Sequence, residues 1–537
     1  EKALTNKNTK ALSEFLETSL NLFESNIFYK SNSYDWYTEQ GEYKFEYDSV
    51  AKVVFPAFTL KCRNGREDSL EIKGISGVYY PSTGRFIGKG GKASWKRTGL
   101  DDNVFAEIKK VNIDCKTGGY TTDSVMFSNP MYFDKPQLGK LQDKVRQENK
   151  GDTYPRFDTY TKRVLVKNVV KDVDYEGGFS MRGPKFVGSG DAKNPAKILF
   201  KRGGVNFLQL SSRNFAMSTT KISADNASVK FILDKDSIVH PGLSFKYDGD
   251  ERKVSLIRTQ DGMQKTPFAN SYHKVDMYIE EITWKIDSAK IDMGFLFNNM
   301  QGQAFFESTD FFTADRYQQL SAGDVNPIAK INQYYEAKDK KRTFTANDLA
   351  VYMKWLAVDL RPVLFKIVQF GLIDYNVETD EITIKDKLFN YIKASKRQID
   401  YDIITFHSIN PGGTNATLNL LNNNYDLRIR GVKTILLSDT QKVFVFPAKQ
   451  EILLKKGRTF AFSGMVSANK FEFHGKEFIY NYDDNKIDLK NVDSLRIYVE
   501  SFEPDINGNY YYKRVETVIQ NINGELMVDG KTNHAGF

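Results

Sequence analysis

Cysteine and histidine are scarce in this chain, which has two cysteines and five histidines among 537 residues. The histidines are far apart in the sequence, and none has the close spacing to another that a metal-binding helix or a zinc finger requires. We therefore expect no metal site and no bound cofactor. The five residues are His240, His273, His407, His474 and His534.

The two cysteines, Cys62 and Cys115, both stand in strand-like segments, FTLKCRNG and VNIDCKTGG. In an oxidising compartment they could pair across neighbouring strands, and otherwise they remain two separate reduced thiols. Their spacing alone favours the separate thiols, but it leaves the pairing open.

Long apolar runs and an excess of one charge are also missing. No stretch approaches the roughly 18 consecutive apolar residues that would cross a bilayer. The net charge of +8 comes from 76 basic and 68 acidic residues that are spread along the chain. Such a mixed surface attracts polyanions weakly, so we expect no nucleic-acid partner. The chain starts at Glu1 without Met or a signal-peptide pattern, which suggests a processed protein or a piece of a longer one.

Aromatic residues are plentiful, with 39 Phe and 29 Tyr, and most segments alternate apolar and polar residues. Both features are typical of β-strands. The turns are irregularly spaced, so we predict a mainly β fold of elongated, stacked strands, solenoid-like or built of open sandwiches, with a helical, winged-helix-like insert. The predicted segments are an N-terminal amphipathic helix (1–30), a first β segment (31–133), a polar linker (134–155), a second β segment (156–309), the helical insert (310–398) and a third β segment (399–537), which we expect to continue beyond the given chain.

The N-terminal helix is predicted from apolar residues at helical spacing, with Thr9 as its N-cap. These residues would form one face that packs on a partner surface. They are Leu12, Phe15, Leu16, Leu20 and Phe23.

Glycine-rich stretches are interpreted as strand turns. The segment from Gly84 to Ala93 has three residues between Gly84 and Gly88, where a phosphate-binding loop needs four, and its last Lys is followed by Ala.

Elsewhere, the segment Asp248–Glu251 between two strand patterns predicts a hairpin, in which Asp-Gly would supply the positive φ angles.

Residues 343–386 predict two short helices followed by a hairpin, the outline of a winged helix. Thr345 with Asp348 forms a capping-box-like start of the first helix. We expect Asp359 to cap the second helix, Pro362 to occupy its first turn and Gly371 to follow its end. The hairpin would turn at residues 378–380.

This segment is predicted not to bind DNA. It has four basic and seven acidic residues, a local charge of −3, whereas DNA binding needs lysines and arginines that face phosphates. Its second helix, DLRPVLFKIVQFGLI, is apolar over most of its circumference. We therefore interpret the module as a packing or docking unit.

Carboxylates in DMYIEEITWKIDSAKID are the best catalytic candidates. A glycosidase needs two carboxylates about 5–10 Å apart and aromatic rings that stack on sugars. Strand alternation, however, places Asp276 and Glu280 on one face and Glu281 and Asp287 on the other. Exposed acids of a soluble sheet explain the pattern equally well, so we predict no catalytic residues here. In a sugar-binding site, Trp284 would be the aromatic ring that forms a wall.

The segment EPDINGNYYY resembles a calcium loop through Asp505, Asn507 and Asn509. Gly508 comes two positions too early, however, and no acidic residue closes the loop at its twelfth position. We interpret the segment as a polar turn.

Several phrases, among them VDYEGGFSMRGPKFVGSGD, HPGLSFKYDGDERKVSLIR and SANKFEFHGKEFIYNYDDNKIDLKNVDSLRIYVE, resemble those of large, uncharacterised β-rich envelope proteins of flavobacteria and their relatives. The resemblance implies a place in the periplasm or at the cell surface of a Gram-negative bacterium, and it carries over no functional residues. We accordingly expect a non-enzymatic structural, adhesion or bridging protein that contacts other envelope proteins, with lipid or glycan as possible further ligands.

Two other functions stay open. Alternating phenylalanines, Phe444 with Phe446 and Phe460 with Phe462, could line a groove that conducts lipid, although core packing also explains them. The acids near Glu281 could belong to a carbohydrate-active enzyme. A cleft with converging carboxylates would favour the enzyme, and a continuous apolar trough would favour the lipid conduit. The absence of both features would favour the scaffold.

Overall fold

The computed structural model describes residues 9–39, 41–65, 69–145, 153–218, 220–258, 262–294, 302–321, 326–377, 379–421 and 424–536. The chain is mainly β, with 52% of its residues in strands and 15% in helices, and its strands pair antiparallel. It divides into two compact units, here called unit 1 (Glu1–Leu199 and Ser211–Ile222) and unit 2 (Phe200–Leu210 and Ser223–Phe537). The prediction that the strands stack along one axis stays a prediction.

Unit 1 contains one helix, α1 (Thr9–Ser25), and most of the first nineteen strands. Three strands, β16, β17 and β19, contain residues of both units. The strands are β1 (Ile27–Lys30), β2 (Tyr34–Thr38), β3 (Lys44–Tyr47), β4 (Ala51–Asn64), β5 (Ser69–Tyr80), β6 (Arg85–Lys89), β7 (Lys92–Ser94), β8 (Phe105–Glu107), β9 (Lys110–Asp114), β10 (Gly119–Ser128), β11 (Gln137–Lys144), β12 (Arg156–Thr159), β13 (Val164–Val170), β14 (Val173–Arg182), β15 (Lys185–Ser189), β16 (Ala196–Arg202), β17 (Val205–Ser212), β18 (Asn214–Met217) and β19 (Lys221–Leu233).

Period-two alternation builds the core of unit 1, as predicted. Strand β9 shows the pattern clearly, because Val111 and Ile113 are buried while their neighbours in the strand are exposed. Aromatic rings fill the interior, and those of Phe127 and Phe157 are stacked with centroids 4.4 Å apart. The alternation of the sequence therefore translates directly into a buried and an exposed face.

The predicted linker at 134–155 contains a strand. Residues Gln137–Lys144 form β11, which pairs with β10 on one side and β12 on the other. Leu141 is buried within it, and Val145 directly after it is also buried. Over these residues the linker prediction is wrong, because alternate residues, Gly139, Leu141 and Asp143, are buried although most of the stretch is polar. Residues 146–152 lie outside the described part of the chain.

Thr9 is the first described residue of helix α1 and lies inside the helix, not in the N-cap position predicted for it, and the predicted buried face is also wrong in part. Thr18 and Leu22 are the buried residues of the helix. Leu12 and Phe15 are half-buried, and the ring of Phe15 packs edge-on against Phe45 at 5.4 Å. The other three predicted contact residues are exposed: Leu16 at 57%, Leu20 at 56% and Phe23 at 73%. The helix therefore contacts unit 1 along one edge of its apolar stripe.

Glycines at the ends of strands in unit 1 support the interpretation as turns. Gly84 precedes β6 with φ of 68°, and Gly90 follows it with φ of 72°. Both angles lie in the left-handed region that glycine adopts readily. The segment is thus a pair of strand turns, without the geometry of a phosphate-binding loop.

Unit 2 contains the other five described helices and the remaining strands. The helices are α2 (Ala314–Gln319), α3 (Pro327–Ala337), α4 (Ala346–Met353), α5 (Ala357–Gln369) and α6 (Asp386–Ser395). The strands are β20 (Asp236–Asp248), β21 (Lys253–Ile257), β22 (Phe268–Asn270), β23 (Val275–Tyr278), β24 (Glu281–Lys285), β25 (Lys290–Gly294), β26 (Gln303–Ser308), β27 (Thr343–Thr345), β28 (Ile373–Asn376), β29 (Glu381–Ile384), β30 (Thr405–Ile409), β31 (Ala416–Asn419), β32 (Leu427–Arg430), β33 (Ile435–Ser438), β34 (Val443–Pro447), β35 (Glu451–Leu454), β36 (Phe460–Ala468), β37 (Phe471–Asn481), β38 (Lys486–Glu500), β39 (Tyr512–Arg514) and β40 (Ile522–Met527).

The hairpin predicted at Asp248–Glu251 is present, because β20 and β21 pair from Asp248 opposite Lys253. The left-handed residue of the turn is Arg252, with φ of 49°, and Gly249 has no positive φ. The Asp248 carboxylate accepts hydrogen bonds from the backbone N–H groups of Asp250 (3.0 Å) and Glu251 (3.3 Å). A side-chain cap thus closes this turn.

The helices α2–α6 and a small sheet, in the order β27–β29–β28, form the insert of unit 2. The insert has its own apolar core, to which α5 contributes Leu360, Leu364, Ile367 and Val368. This burial agrees with the interpretation as a packing unit. The resemblance to a winged helix stays a prediction.

The ends of the insert's helices match the sequence in part. The Thr345 hydroxyl accepts a hydrogen bond from the Asp348 N–H at 3.1 Å and caps α4, as predicted. Gly371 follows α5 with φ of 69°, also as predicted. Helix α5, however, begins at Ala357 after Leu356 without a side-chain cap, so Asp359 lies inside its first turn and Pro362 in its interior. Of the predicted hairpin turn, residue 378 lies outside the described residues.

No helix in the described ranges combines the length and the apolar character needed to cross a membrane.

Candidate functional site

Trp284, the ring proposed as a wall for a sugar site, lies in the core of unit 2. Its side chain is 1% exposed, and its ring packs edge-on against Phe207 at 5.0 Å and Phe200 at 6.5 Å. Strand β24 alternates, so the core face carries Ile282 and Trp284 while Glu281 is only partly buried. Because Glu281 and Trp284 have opposite parity in the strand, they cannot face one sugar together.

The other predicted acids are engaged separately. Asp276 is buried and forms an ion pair with Lys387 of α6. Asp287 is exposed and accepts a hydrogen bond from the Arg252 guanidinium at 2.7 Å. The structure therefore does not bring Asp276, Asp287 and Glu281 together.

Glu280, in contrast, lines a cleft of about 370 Å³ between the sheet and the helical insert. The strands β23 and β26 and the helices α2 and α5 contribute residues to its lining. Sequence reasoning missed most of this cleft, because its residues come from strands and helices that are distant in the chain. Its principal polar and aromatic residues are Arg258, Tyr278, Glu280, Phe305, Glu307 and Arg316.

The second carboxylate of the cleft, Glu307, is bound by Arg316. The guanidinium donates to both carboxylate oxygens, at 2.7 and 2.8 Å, and the Glu307 side chain is 8% exposed. Arg316 also lies over the rings of Phe311 (4.5 Å) and Phe370 (4.9 Å). Burial lowers the pKa of Arg316, but its hydrogen bonds and attraction to Glu307 outweigh burial and raise the pKa above its ordinary value. The carboxylate of Glu307 is therefore neutralised and fixed in place.

The ion pair makes Glu307 a poor group for hydrolytic chemistry. A retaining or inverting glycosidase needs a free nucleophile or base opposite an acid, and Glu307 already accepts a bidentate ion pair. None of the five histidines is among the residues that line the cleft. Within the described ranges no group of three metal-ligating side chains forms a metal site.

Two of the histidines are buried at other places in unit 2. His240 is 1% exposed and His273 is fully buried, and burial lowers the pKa of each to about 3. The His240 Nε2 atom lies 2.8 Å from the Thr266 carbonyl oxygen, and its Nδ1 atom accepts from the Gly242 N–H at 3.2 Å. Both rings are therefore neutral members of the core.

The phenylalanines considered for a lipid groove lie on different faces. Phe460 is fully buried and Phe462 is 6% exposed, so both belong to the core. In β34, Val443 and Val445 point into the core. Phe444 and Phe446 are half-buried on the opposite face of this strand. The four rings therefore do not form one trough.

An exposed surface lies at residues 493–527, here called the C-terminal arm, in which every residue is exposed or half-buried. Strand β38 pairs with β37 on one side, and on the other side it pairs with β40 near its start and with β39 at its end. Among the described residues, β39 and β40 pair with no strand except β38. The arm thus ends in an open strand edge, with unpaired backbone N–H and C=O groups.

The tip of the arm, residues 501–511, presents apolar side chains to water. Phe502 is 99% exposed and Ile506 is 102% exposed. Three tyrosines follow, at Tyr510, Tyr511 and Tyr512, each more than half exposed. Single exposed apolar residues are common on proteins, but two complete side chains beside three tyrosines form a patch of the kind that marks an interaction site.

Hydrogen bonds within the tip hold Ile506 outward. The Asp505 carboxylate accepts from the backbone N–H groups of Asn507 and Asn509, each at 2.9 Å. The Gly508 N–H also donates to the Asp505 carbonyl at 2.9 Å. The segment that resembles a calcium loop is therefore a polar turn, as predicted, in which Oδ1 of Asp505 accepts from two backbone donors.

The arm carries a local negative charge. From residue 493 to residue 527 there are six acidic and three basic residues, a net charge of −3 in a chain whose net charge is +8. Arg496 lies 3.9 Å from Glu472, so one of the three bases is near an acid of β37. A partner of the arm would therefore be attracted if it carried positive charge.

Comparisons of the chain with protein-family models, with curated proteins and with solved structures found no significant match.

Proposed function

We propose that this chain is a non-enzymatic structural, adhesion or bridging protein of a Gram-negative cell envelope, in the periplasm or at the cell surface. It would bind a protein partner by adding an extended segment of that partner to the open edge of the C-terminal arm. The observation that carries the proposal is the arm's tip, where Phe502 and Ile506 are fully exposed beside an unpaired strand edge.

The chemistry of the arm favours a basic, extended protein segment. Addition of a strand satisfies the unpaired backbone groups of β39 and β40, and alternate side chains of the added strand would contact the exposed tyrosines. The net charge of −3 attracts lysines and arginines of such a segment. The same charge would repel an anionic lipid surface, which makes lipid the weaker occupant.

Preorganisation of the tip supports binding as its role. Ordering a flexible loop on association costs free energy, and a loop that is already fixed avoids that cost. The two hydrogen bonds to the Asp505 carboxylate fix the tip before any partner arrives.

The placement in the envelope rests on the resemblance of the sequence alone, and fractionation of the source cell tests it separately: recovery in the cytosol would contradict it.

A photocrosslinking experiment tests the partner. A benzophenone amino acid is introduced at Phe502 in one sample and at Val351, which is 71% exposed on α4, in the control. Irradiation of cells that make the protein should give one defined adduct at 502 that is absent at 351. Mass spectrometry should place the crosslink in an extended segment of another protein with an excess of Lys and Arg.

Purified partner and protein then complete the test. Phe502→Ser with Ile506→Ser should weaken binding at least about tenfold, and Val351→Ser should leave it unchanged. A crosslink only to lipid, only to a second copy of this chain or to no molecule would overturn the proposal.

A carbohydrate-active enzyme is the second candidate, since Glu280 and Glu307 line one cleft. The ion pair between Glu307 and Arg316 speaks against catalysis by this pair. Hydrolysis of a polysaccharide panel by the purified chain, abolished by Glu280→Gln, would make this candidate the better one.

A further inference from the structure

Two residues that line the cleft between the sheet and the helical insert of unit 2 each have a buried hydrogen-bond donor without a partner among the described residues. The Arg258 Nε atom and the Tyr278 hydroxyl are both closed to water, and neither has a hydrogen-bond partner among the described residues. Both residues line the cleft. Buried polar groups in folded proteins are nearly always hydrogen-bonded, so two such donors beside one cleft require an explanation.

The position of Arg258 is fixed by backbone groups. Its Nη1 atom donates to the carbonyl oxygens of Lys265 (3.1 Å) and Thr266 (3.4 Å). The guanidinium carbon lies 5.9 Å from the centre of the Tyr278 ring. These contacts hold one edge of the guanidinium, while Nε has no hydrogen-bond partner in the described part of the chain.

The charge of Arg258 is only partly compensated. Burial lowers the pKa of Arg258, and the attraction of Tyr278 and Glu280 acts in the opposite direction without restoring it. Arginine nevertheless stays protonated in proteins. Glu307 and Arg316 neutralise each other, which leaves Arg258 and Lys265 against Glu280 in the cleft. The described residues of the lining therefore carry an excess of one positive charge.

A single carboxylate fits these features best. Its two oxygens accept hydrogen bonds from a guanidinium and a hydroxyl, and its single negative charge balances the excess in the cleft. A phosphate dianion would bring a second charge close to Glu280 and Glu307. The rings of Phe305 and Phe370, which also line the cleft, offer an apolar surface to the body of the ligand.

We propose that this cleft binds a small molecule through its carboxylate group, with Arg258 Nε and the Tyr278 hydroxyl as donors. The volume of about 370 Å³ is within the range of roughly 300–1,000 Å³ for ligand sites. The carboxylate would belong to an acidic sugar or to an acylated amino acid. The site is independent of the C-terminal arm and of the partner proposed for it.

Calorimetry on the full chain tests the site with defined probes. Glucuronate and N-acetylphenylalanine represent the two sources of carboxylate, and glucose and N-acetylphenylalaninamide are their neutral counterparts. We expect one of the two acids to bind and its neutral counterpart to bind at least about tenfold more weakly. Whichever acid binds identifies the source. Inorganic phosphate should not compete at equal concentration.

Two variants assign the binding to the cleft. Tyr278→Phe removes only the hydroxyl, and Arg258→Gln removes the charge; each should weaken binding of the acid roughly tenfold or more. Tyr120→Phe is the matched control, since Tyr120 in unit 1 also has a buried hydroxyl without a partner but does not line the cleft. It should bind like the original chain.

The conservative Tyr278→Phe change keeps the test decisive if Arg258→Gln impairs folding, which thermal unfolding would reveal. The proposal is overturned if neither acid binds at millimolar concentration, if neutral probes bind as tightly as the acids, or if Tyr278→Phe binds like the original chain.

Discussion

Arg458 and Asp402 form an ion pair in the interior of unit 2, with Arg458 Nη1 at 3.4 Å from Asp402 Oδ2 and side-chain exposures of 5% and 1%. The same carboxylate accepts hydrogen bonds from the hydroxyls of Ser308 (2.6 Å) and Tyr482 (2.8 Å). Arg458 also contacts Asp310 and lies over the Tyr482 ring at 3.6 Å. Two buried charges are thus paired and hydrogen-bonded, which is the condition for keeping them in a core.

Removal of one partner of this pair should be strongly destabilising. Arg458→Met leaves the Asp402 carboxylate buried without a cation, so we expect a loss of about 3–5 kcal/mol in the free energy of unfolding by urea. Arg252→Met is the control, because Arg252 pairs with Asp287, whose side chain is 70% exposed. This variant should lose less than about 1 kcal/mol in the free energy of unfolding. Equal losses in the two variants would contradict this account.

Stability should fall in mild acid because of His240 and His273. Their pKa values of about 3 in the folded protein lie below the ordinary value near 6.5 that the unfolded chain has. Below about pH 6.5 the unfolded state therefore binds protons that the folded state excludes, and stability decreases as pH falls towards 3. Each ring contributes a slope of about 1.4 kcal/mol per pH unit in this window.

Urea unfolding at several values of pH measures that slope. His240→Gln should make it smaller. His407→Gln should reduce it to a lesser degree, because His407 is exposed and its partial burial lowers its pKa less than full burial lowers that of His240. An unchanged slope in His240→Gln would show that this ring is protonated in the folded protein.

The thiols of Cys62 and Cys115 should be inert in the folded protein. Both are thiols that form no disulfide, and both are fully buried in unit 1. Burial raises the pKa of Cys115, and the nearby Cys62 and Asp114 raise it further, so little reactive thiolate forms. Ellman's reagent should detect no thiol before unfolding and two after it. No thiol after unfolding without a reductant would instead reveal a disulfide.

The tip of the C-terminal arm should be dispensable for folding. Strand β38 at Glu500 faces β39 at Tyr512, so residues 501–511 can be replaced by an Asn-Gly turn that keeps this pairing. We expect the free energy of unfolding to change by less than about 0.5 kcal/mol, because the removed side chains are exposed. Leu364→Ala in the insert, at a fully buried position, should lose about 2–5 kcal/mol. A similar loss in the loop variant would mean that the tip stabilises the fold.

The full chain should not bind duplex DNA through residues 343–386. Two of the four basic residues of this segment are already engaged: Lys366 donates to the Gln319 carbonyl, and Lys385 lies 2.7 Å from Asp374. Fluorescence anisotropy with a random duplex should show no submicromolar binding that weakens with salt. Such binding, lost on replacement of Lys354 and Arg361, would reverse the interpretation.

The amino-acid sequence determined several local features of this protein. Alternation in segments such as β9 set which side chains of a strand face the core, because neighbouring residues of a strand point to opposite faces. Thr345 and Asp505 acted as predicted, since a cap or a polar turn is formed by atoms only a few residues apart. Neither prediction needed any knowledge of the rest of the chain.

The features that the sequence did not predict depend on packing between segments that are distant in the chain. The half-exposed apolar stripe of α1 and the strand β11 within the predicted linker depend on which surfaces and strands lie beside them. The cleft combines Tyr278, Glu307 and Arg316 from separate strands and a helix, although they are distant in the sequence. Alternation and spacing in the sequence indicate on which face of a strand or helix each residue lies. Which residues are its neighbours depends on contacts between distant segments, and these contacts are known only from the tertiary structure.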